Sequence, residues 1–417
     1  MARFELVCTE CGRVLAEDPE LLVCPECSRF QESGGSVRGL LAVRILDRPE
    51  LPGPGRMADP ETLAAVLPVA SAASFALLPV GGGPLLPVPR LREAQGMPRL
   101  WVKDDTRNPS GSTKDRASLL VAARAMEYGR ETIATASTGN AATALAAVCA
   151  ASGQRAVVFV PESAPPAKLV QMRALGAVVL PVRGSYDQAF ELCGRACQAF
   201  GWYNRNTAVN PFTTEGKKTL ALEVGWQLAP EAPDVVVVPA GDGVITSGVA
   251  GGFADLVAWG HLAAVPRLLV VQPEGSSALV RALESGAADV TPVPGAASVA
   301  DSLVVEVPRA ARLALARVRA SGGAGVTVGD GAIRAAIGRL ASLTGVFPEP
   351  AAAAPLAGLE RALELGLVER EERVVLLITG TGLKDPAAAE SAMPPLESIE
   401  PDLAAVERRL AGLHRHP

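Results

Sequence analysis

The sequence predicts an α/β protein of two open, mostly parallel sheets, preceded by a small cysteine-rich knuckle. Three observations predict it. Runs such as "TIATAS", "RAVVFVPE", "AVVLPV", "DVVVVPAG" and "VVLLITGTG" are apolar almost without alternation, as strands buried on both faces are. Helix-length segments separate them, so the chain reads strand, helix, strand, helix. Such strands are too many for one comfortable sheet, which divides them between two.

The knuckle comes first. "VCTECG" carries Cys8 and Cys11, and "VCPECS" carries Cys24 and Cys27. Two Cys-x-x-Cys pairs about a dozen residues apart have the spacing of a structural zinc site. Four thiolates close the tetrahedron and leave no open position for catalysis. Two redox pairs or disulfides are the other reading. Cys149, Cys193 and Cys197 lie in helical runs and are expected in the core.

After Gly35, "VRGLLAVRIL" and "RLWVKDD" read as strands. Between them, residues 62–89 carry no charge, but Pro68, Pro79, Pro84 and the run from Gly81 to Gly83 interrupt any membrane helix there. "NPSGSTKDRAS" then feeds a helix that begins near "LLVAARAMEYG". Lys114 therefore stands where a loop enters a helix, at the end of the dipole that disfavours an ammonium. It is either a solvated surface lysine or an amine kept neutral, and a neutral amine is a nucleophile that forms Schiff bases. Asp115 and Arg116 read as a first-turn acid and an ion-pair partner.

"TIATAS" is a strand, followed by the helix "NAATALAAVCAASG". "RAVVFVPE", the helix "PPAKLVQMRALG", "AVVLPV", the helix "YDQAFELCGRACQAFG" and the short strand "WYNRN" follow in order. "DVVVVPAG" and "PRLLVVQPEG" flank a helix, "EPAAAAPLAGLERALELG" is a packed helix, and "VVLLITGTG" is the last strand.

The chain of 417 residues is 49% apolar, which suits a large core and not disorder. A net charge of -5 without a basic block argues against nucleic acid as a partner. The start "MARFELVC" lacks the apolar segment of a signal peptide, so a cytoplasmic protein with no membrane partner is expected. The three histidines are His261, just past a helix end, and His414 and His416 at the C-terminus, which leaves no histidine-based triad.

Ligands of open α/β sheets bind beyond the carboxyl ends of strands. Three such ends are glycine-rich: "STGN" at residues 137–140, "PAGDGVITSG" at 239–248 and "TGTGLKD" at 379–385. A glycine turn feeding a helix N-terminus suits a phosphate. The Gly-x-Gly-x-x-Gly spacing and the Walker lysine of nucleotide sites are missing. A small phosphorylated ligand, an imine-forming lysine and polar loops around a ring describe pyridoxal 5'-phosphate (PLP).

With these motifs in place, "NPSGSTKDR", "STGN", "NPFTTEGKKT", "GVFPEPAAAAPLAGL" and "TGTGLKDP" together resemble the threonine synthases, of the fold type II, tryptophan-synthase-β-like PLP enzymes. The resemblance runs from the cysteine pairs to about Pro386. It implies that the cofactor lies in a cleft between the two α/β domains. Lys114 would hold it and later move protons. Asn140 would bond the ring hydroxyl, Gly241, Asp242, Gly243, Val244, Ile245 and Thr246 would cradle its phosphate, and Thr379 would face the ring nitrogen. Ser137, Thr138 and Gly139 would bind the substrate carboxylate, and Ala141 and Thr213 would belong to the substrate site. A zinc-ribbon-like segment over residues 1–33, a large domain over 34–117 and 211–395, a small domain over 118–210, a helical tail over 396–417 and a homodimer are expected.

The resemblance leaves the activity open. It implies conversion of O-phosphohomoserine and water to threonine and phosphate, a step of amino-acid biosynthesis. β-Elimination or β-replacement on serine, O-phosphoserine or threonine, as in cysteate synthases or threonine dehydratases, is an alternative. A PLP-binding subunit that is non-catalytic or depends on a partner is another. The departures motivate these alternatives. Ala141, Thr213, Val244 and Thr113 stand where the family pattern has threonine, arginine, asparagine and phenylalanine, so a substrate-phosphate site is expected to be eroded. Lys103, Arg107, Lys217, Lys218 and Arg309 are candidate replacements for its lost charge.

Overall fold

A computed structural model of the chain describes residues 2–32, 34–50, 57–164, 166–393 and 395–413. The strands are β1 (Phe4–Cys8), β2 (Val14–Leu15), β3 (Leu41–Ile45), β4 (Leu85–Leu86), β5 (Leu100–Asp104), β6 (Thr132–Ala136) and β7 (Arg155–Pro161). They continue with β8 (Val178–Val182), β9 (Tyr203–Asn204), β10 (Val235–Pro239), β11 (Arg267–Pro273), β12 (Ala324–Val328) and β13 (Val374–Ile378). They form three sheets, in the orders β2-β1-β3, β12-β11-β10-β13-β5-β4 and β8-β7-β6-β9.

The two larger sheets pair in parallel throughout, except where the short edge strand β4 meets β5 antiparallel. Every residue of β6, β10 and β13 is buried, as the unbroken apolar runs require. Helices cover both faces of the larger sheet, and two apolar clusters divide them. Val236, Val238 and Val375 point to one cluster, and Val235, Val237 and Leu376 to the other.

Three details differ from the expected elements. β3 pairs with β1 along its whole length, Leu41 opposite Cys8 and Ile45 opposite Phe4. The N-terminal hydrogen-bonded unit thus runs to Ile45, past the expected boundary at residue 33, because its cysteine hairpin needs a third strand to bury its apolar face. β4 lies inside the uncharged stretch, and β12 lies in "GGAGVTVGD". Both are edge strands that find their partner through tertiary contacts. Ser33, His414 and His416 lie outside the described residues. Among the described residues, no helix is long and apolar enough to cross a membrane.

The helices that position the site are α1 (Lys114–Glu127), α2 (Asn140–Ser152), α3 (Tyr186–Phe200), α4 (Lys218–Leu228), α5 (Val244–Ala258) and α6 (Pro350–Glu364). A buried ion network ties four segments together beneath them. Arg116 on α1 pairs with Asp105 at 2.7 Å and with Glu223 on α4 at 2.5 Å, and Lys103 on β5 pairs with Glu223 at 2.6 Å. Lys103 also donates to the carbonyl of Gly83. Removing one member of such a network strands a buried charge, at about 3–5 kcal/mol. This is the structural role expected of Arg116.

Candidate active site

The loop before α1 is held by the last strand of the large sheet. The Thr113 N–H donates to the carbonyl of Thr379 at 2.8 Å, and the Thr381 N–H donates to that of Gly111 at 2.9 Å. Gly111 adopts φ +82°, and a Cβ there would lie 2.7 Å from Thr381 Cγ2, so glycine permits the close approach. These bonds set Lys114, the first residue of α1, beside Thr379 at the carboxyl end of β13. The Glu349 N–H donates to the Gly380 carbonyl at 3.0 Å and brings the start of α6 to the same place.

Glu349 was quoted within a motif but was given no role by sequence reasoning. It is buried, and it accepts from Asn140 Nδ2 at 2.8 Å and 3.1 Å. Its position just before a helix-opening proline was the available signal. Burial pushes its carboxyl up, against the pull of Asn140 and of the Lys114 charge. Burial also pushes the Lys114 amine below its ordinary value; Glu349 and Asp242 oppose this, and Arg205 adds to it. No hydrogen bond or ion pair to a described residue ties up Lys114 Nζ. It is a half-buried amine that gives up its proton more readily than a surface lysine, as a nucleophile must.

The glycine loop after β10 opens α5. Gly243 is its N-cap at φ +81°. A Cβ on Gly241 would come within 3.1 Å of Leu303 Cα, and one on Gly243 within 2.8 Å of Ala314 Cβ. The Asp242 carbonyl and carboxylate accept from the N–H groups of Ala310 and Arg309 and fix the loop from outside. The N–H groups of Val244, Ile245 and Thr246 find no acceptor among the described residues, and the buried Thr246 Oγ1 has no partner either. Thr113 Oγ1, beside the lysine, is a further buried hydroxyl without a partner. Free donors at a helix N-terminus, with an unpartnered hydroxyl, fit the phosphate of PLP.

Ser137, Thr138 and Gly139 form the turn from β6 into α2, with Ser137 Oγ accepting from the Gly139 N–H at 3.3 Å. A cleft of about 420 Å³ opens here, lined by Gly139, Asn140, Thr143, Glu349, Lys384 and Asp385 among others. Lys114, Thr379 and the Gly241–Thr246 loop are not on its walls. Ala141 is buried in the first turn of α2. Thr213 is fully buried, and its Oγ1 donates to the Asn210 carbonyl at 2.7 Å within its own helix start.

Among the five candidate cations, four are paired. Lys103 is in the ion network, Lys218 meets Asp255 at 2.8 Å, Arg107 meets Asp104 at 3.1 Å and Arg309 meets Asp187 at 2.7 Å. Only Lys217 remains.

The sulfur atoms of Cys8, Cys11, Cys24 and Cys27 all lie within 4.8 Å of one another, at the turn end of the β1–β2 hairpin. Cys8 and Cys27 are 3.7 Å apart, and Cys11 and Cys24 are 3.9 Å apart. Cys149, Cys193 and Cys197 are buried, as expected.

A family model described as pyridoxal-phosphate dependent enzyme matches residues 76–380. A threonine synthase of Methanocaldococcus jannaschii is 34% identical over 410 residues, which covers 97% of this chain and 99% of that protein. A threonine synthase of Methanosarcina acetivorans is 34% identical over 420 residues, covering 98% and 99%. Among solved structures, the processed form of threonine deaminase isoform 2 from Solanum lycopersicum superposes with a TM-score of 0.64 at 20% identity, covering 88% of this chain and 91% of that one. That likeness concerns the fold.

Proposed function

Because the chain belongs to the pyridoxal-phosphate dependent enzymes, as a lyase of the threonine synthase family, we propose that it converts O-phosphohomoserine and water to threonine and phosphate. The observation that carries this reading is a likeness to threonine synthases that spans the chain from end to end. The unpaired, half-buried Lys114 beside Thr379, Asn140 and the free N–H groups of α5 supports it.

When bound, PLP supplies an electron sink that makes the protons on the carbons next to the amino group removable. The protein's residues do the rest. Lys114 would hold the cofactor and, once free, would carry protons at the reacting carbons. Glu349 holds the Asn140 amide, which would bond the ring hydroxyl. Thr379 would offer the ring nitrogen a neutral hydroxyl, which would make the sink milder than a carboxylate partner would. Ser137, Thr138 and Gly139 bind the substrate carboxylate at the N-terminus of α2, and the open cleft admits the substrate.

We read the four cysteines as thiolate ligands of a structural zinc ion. A tetrahedron with Zn–S bonds of about 2.3 Å has S···S edges of roughly 3.8 Å, which the two close sulfur pairs match. The protein acts on a small, phosphorylated amino acid in the cytoplasm as a homodimer.

The test is direct. Borohydride reduction of the loaded protein should leave the cofactor attached to Lys114 on peptide mapping. Lys114→Ala should lose at least about 10³-fold in kcat, the order expected when one group is both cofactor anchor and acid–base. Assays of O-phosphohomoserine, O-phosphoserine, serine and threonine side by side identify the substrate. Ammonia and a keto acid from serine or threonine, with no threonine from O-phosphohomoserine, would overturn the reading.

A further inference from the structure

Six cationic side chains are buried among the described residues: Lys103, Arg116, Arg124, Arg205, Lys217 and Lys218. Four of them meet carboxylates. Lys103 and Arg116 share Glu223, Arg124 pairs with Glu17 and Glu127, and Lys218 pairs with Glu215 and Asp255. Arg205 and Lys217 meet none. An unpaired buried charge is expensive, and ordinary proteins pair it or remove it.

Both are held by neutral acceptors alone. Arg205 Nε donates to Ser118 Oγ at 3.3 Å and Nη1 to Thr207 Oγ1 at 3.1 Å, while Nη2 is buried and has no partner. Lys217 Nζ donates to the Thr213 carbonyl at 3.0 Å and to nothing else. Two of an ammonium's three protons are therefore unused.

The two lie by the site from different directions. Ser118 is four residues beyond Lys114, on the same face of α1, so Arg205 reaches that face. Lys217 packs on the first turns of α5. Gly248 makes room there, since a Cβ on it would lie 2.8 Å from Lys217 Cβ. The adjoining Ser247 Oγ is buried without a partner, like Thr246 Oγ1. The charges are close enough to disfavour one another. Burial first, then Lys114 and Arg205, pushes the Lys217 amine well below its usual value, and burial brings the Arg205 guanidinium down to about 10. Asp242 is the carboxylate that opposes this at Lys217, and Tyr186 and Asp115 do so at Arg205, but none forms an ion pair with them.

We infer that Arg205 and Lys217 form a buried dianion site beside Lys114 that holds the phosphate group of the substrate and then the released phosphate. The inference rests on the proposed phosphorylated substrate. A dianion brings the two charges this pair lacks, and its oxygens accept from the guanidinium and ammonium protons left over. The expected erosion of the substrate-phosphate site is then a relocation. Thr213 turns its hydroxyl away, and Lys217 and Arg205 supply the charge. Arg205 could not be singled out in "WYNRN", because its lack of a carboxylate is a property of the packed chain.

A phosphoryl dianion has two sources here, substrate and cofactor, and the experiment separates them. Inorganic phosphate is titrated calorimetrically into the PLP-loaded wild type and into Arg205→Met, Arg205→Lys and Lys217→Met, with PLP dissociation constants measured by fluorescence alongside. The wild type should bind one phosphate beyond that of PLP. Each methionine variant should weaken it at least about tenfold, the scale of one charge-assisted hydrogen bond, with PLP affinity within about twofold. Arg205→Lys should keep part of the binding, and it remains informative if the methionine variant fails to fold. KM for O-phosphohomoserine should rise in parallel. Loss of PLP affinity with phosphate binding unchanged would assign the cations to the cofactor and overturn the proposal, as would no effect on either. Phosphate binding is read without turnover, so an enzyme inactive on O-phosphohomoserine but binding phosphate through this pair would defeat the proposed reaction and leave the anion site standing.

Discussion

Asp115, next to the reactive lysine, is completely buried, and its Oδ2 accepts from the Ser110 N–H at 2.9 Å while Oδ1 has no partner. Burial raises its carboxyl to about 6, above the unfolded value of about 3.9. The folded state therefore binds this proton more tightly. The resulting stabilisation is full below about pH 4 and is lost as pH rises through about 6. Two pKa units correspond to roughly 3 kcal/mol as an upper figure. Asp115→Asn keeps the acceptor and never ionises, so it should match the wild type near pH 4 and be more stable by about 1–3 kcal/mol at pH 8. Urea midpoints at pH 5 and pH 8 check this, and a difference that does not grow with pH would refute it. The sequence placed Asp115 correctly in the first turn of α1. It could not show that the turn is buried, because the covering Ser110 loop is held by β13, far along the chain.

At the scale of the element, the informative unit is the turn from strand to helix. Lys114, Asn140 and Val244 each open a helix directly after a loop, and each was legible from an apolar run, a glycine or serine turn and a helical pattern. The loop after β10 makes the tightest demand. Gly243→Ala would force a side chain into a left-handed backbone at about 1–2 kcal/mol and press it on Ala314. The expected result is PLP affinity weakened about five- to thirtyfold, with the free N–H groups of α5 re-aimed. Fluorescence titration of PLP measures it, and unchanged affinity would show that the loop does not cradle the phosphate. β4 and β12 were missed for a common reason. A short edge strand carries little periodicity of its own, and its partner is chosen by the sheet it completes.

For the whole molecule, the cysteine knuckle is a support packed on the body, with Leu6, Cys8, Cys24 and Ile45 in one apolar cluster with Leu120 and Phe212. The Gly39 carbonyl accepts from the Cys24 N–H, a Cβ on Gly39 would lie 3.1 Å from Cys24 Cβ and Cys27 Cβ, and the β1–β3 ladder completes the small sheet that carries the cysteines. Metal analysis should give about one zinc per chain. Stripping it with a chelator should lower Tm by several degrees, since site formation contributes folding free energy, while the absorbance of bound PLP persists. Disulfides among these cysteines in a reduced preparation would defeat the zinc reading. The sequence by itself determined the alternation of strands and helices, the cysteine spacing, the lysine at a loop-to-helix junction and the family, because each is written in local pattern or contiguous motif. Only the tertiary structure decided which charges are free. Lys103, Lys217 and Lys218 look alike in the sequence, yet Glu223 neutralises the first and Asp255 the third, from 120 and 37 residues away. Lys217 and Arg205 alone among the buried cations described are left for a ligand, because the chain brings no carboxylate to them.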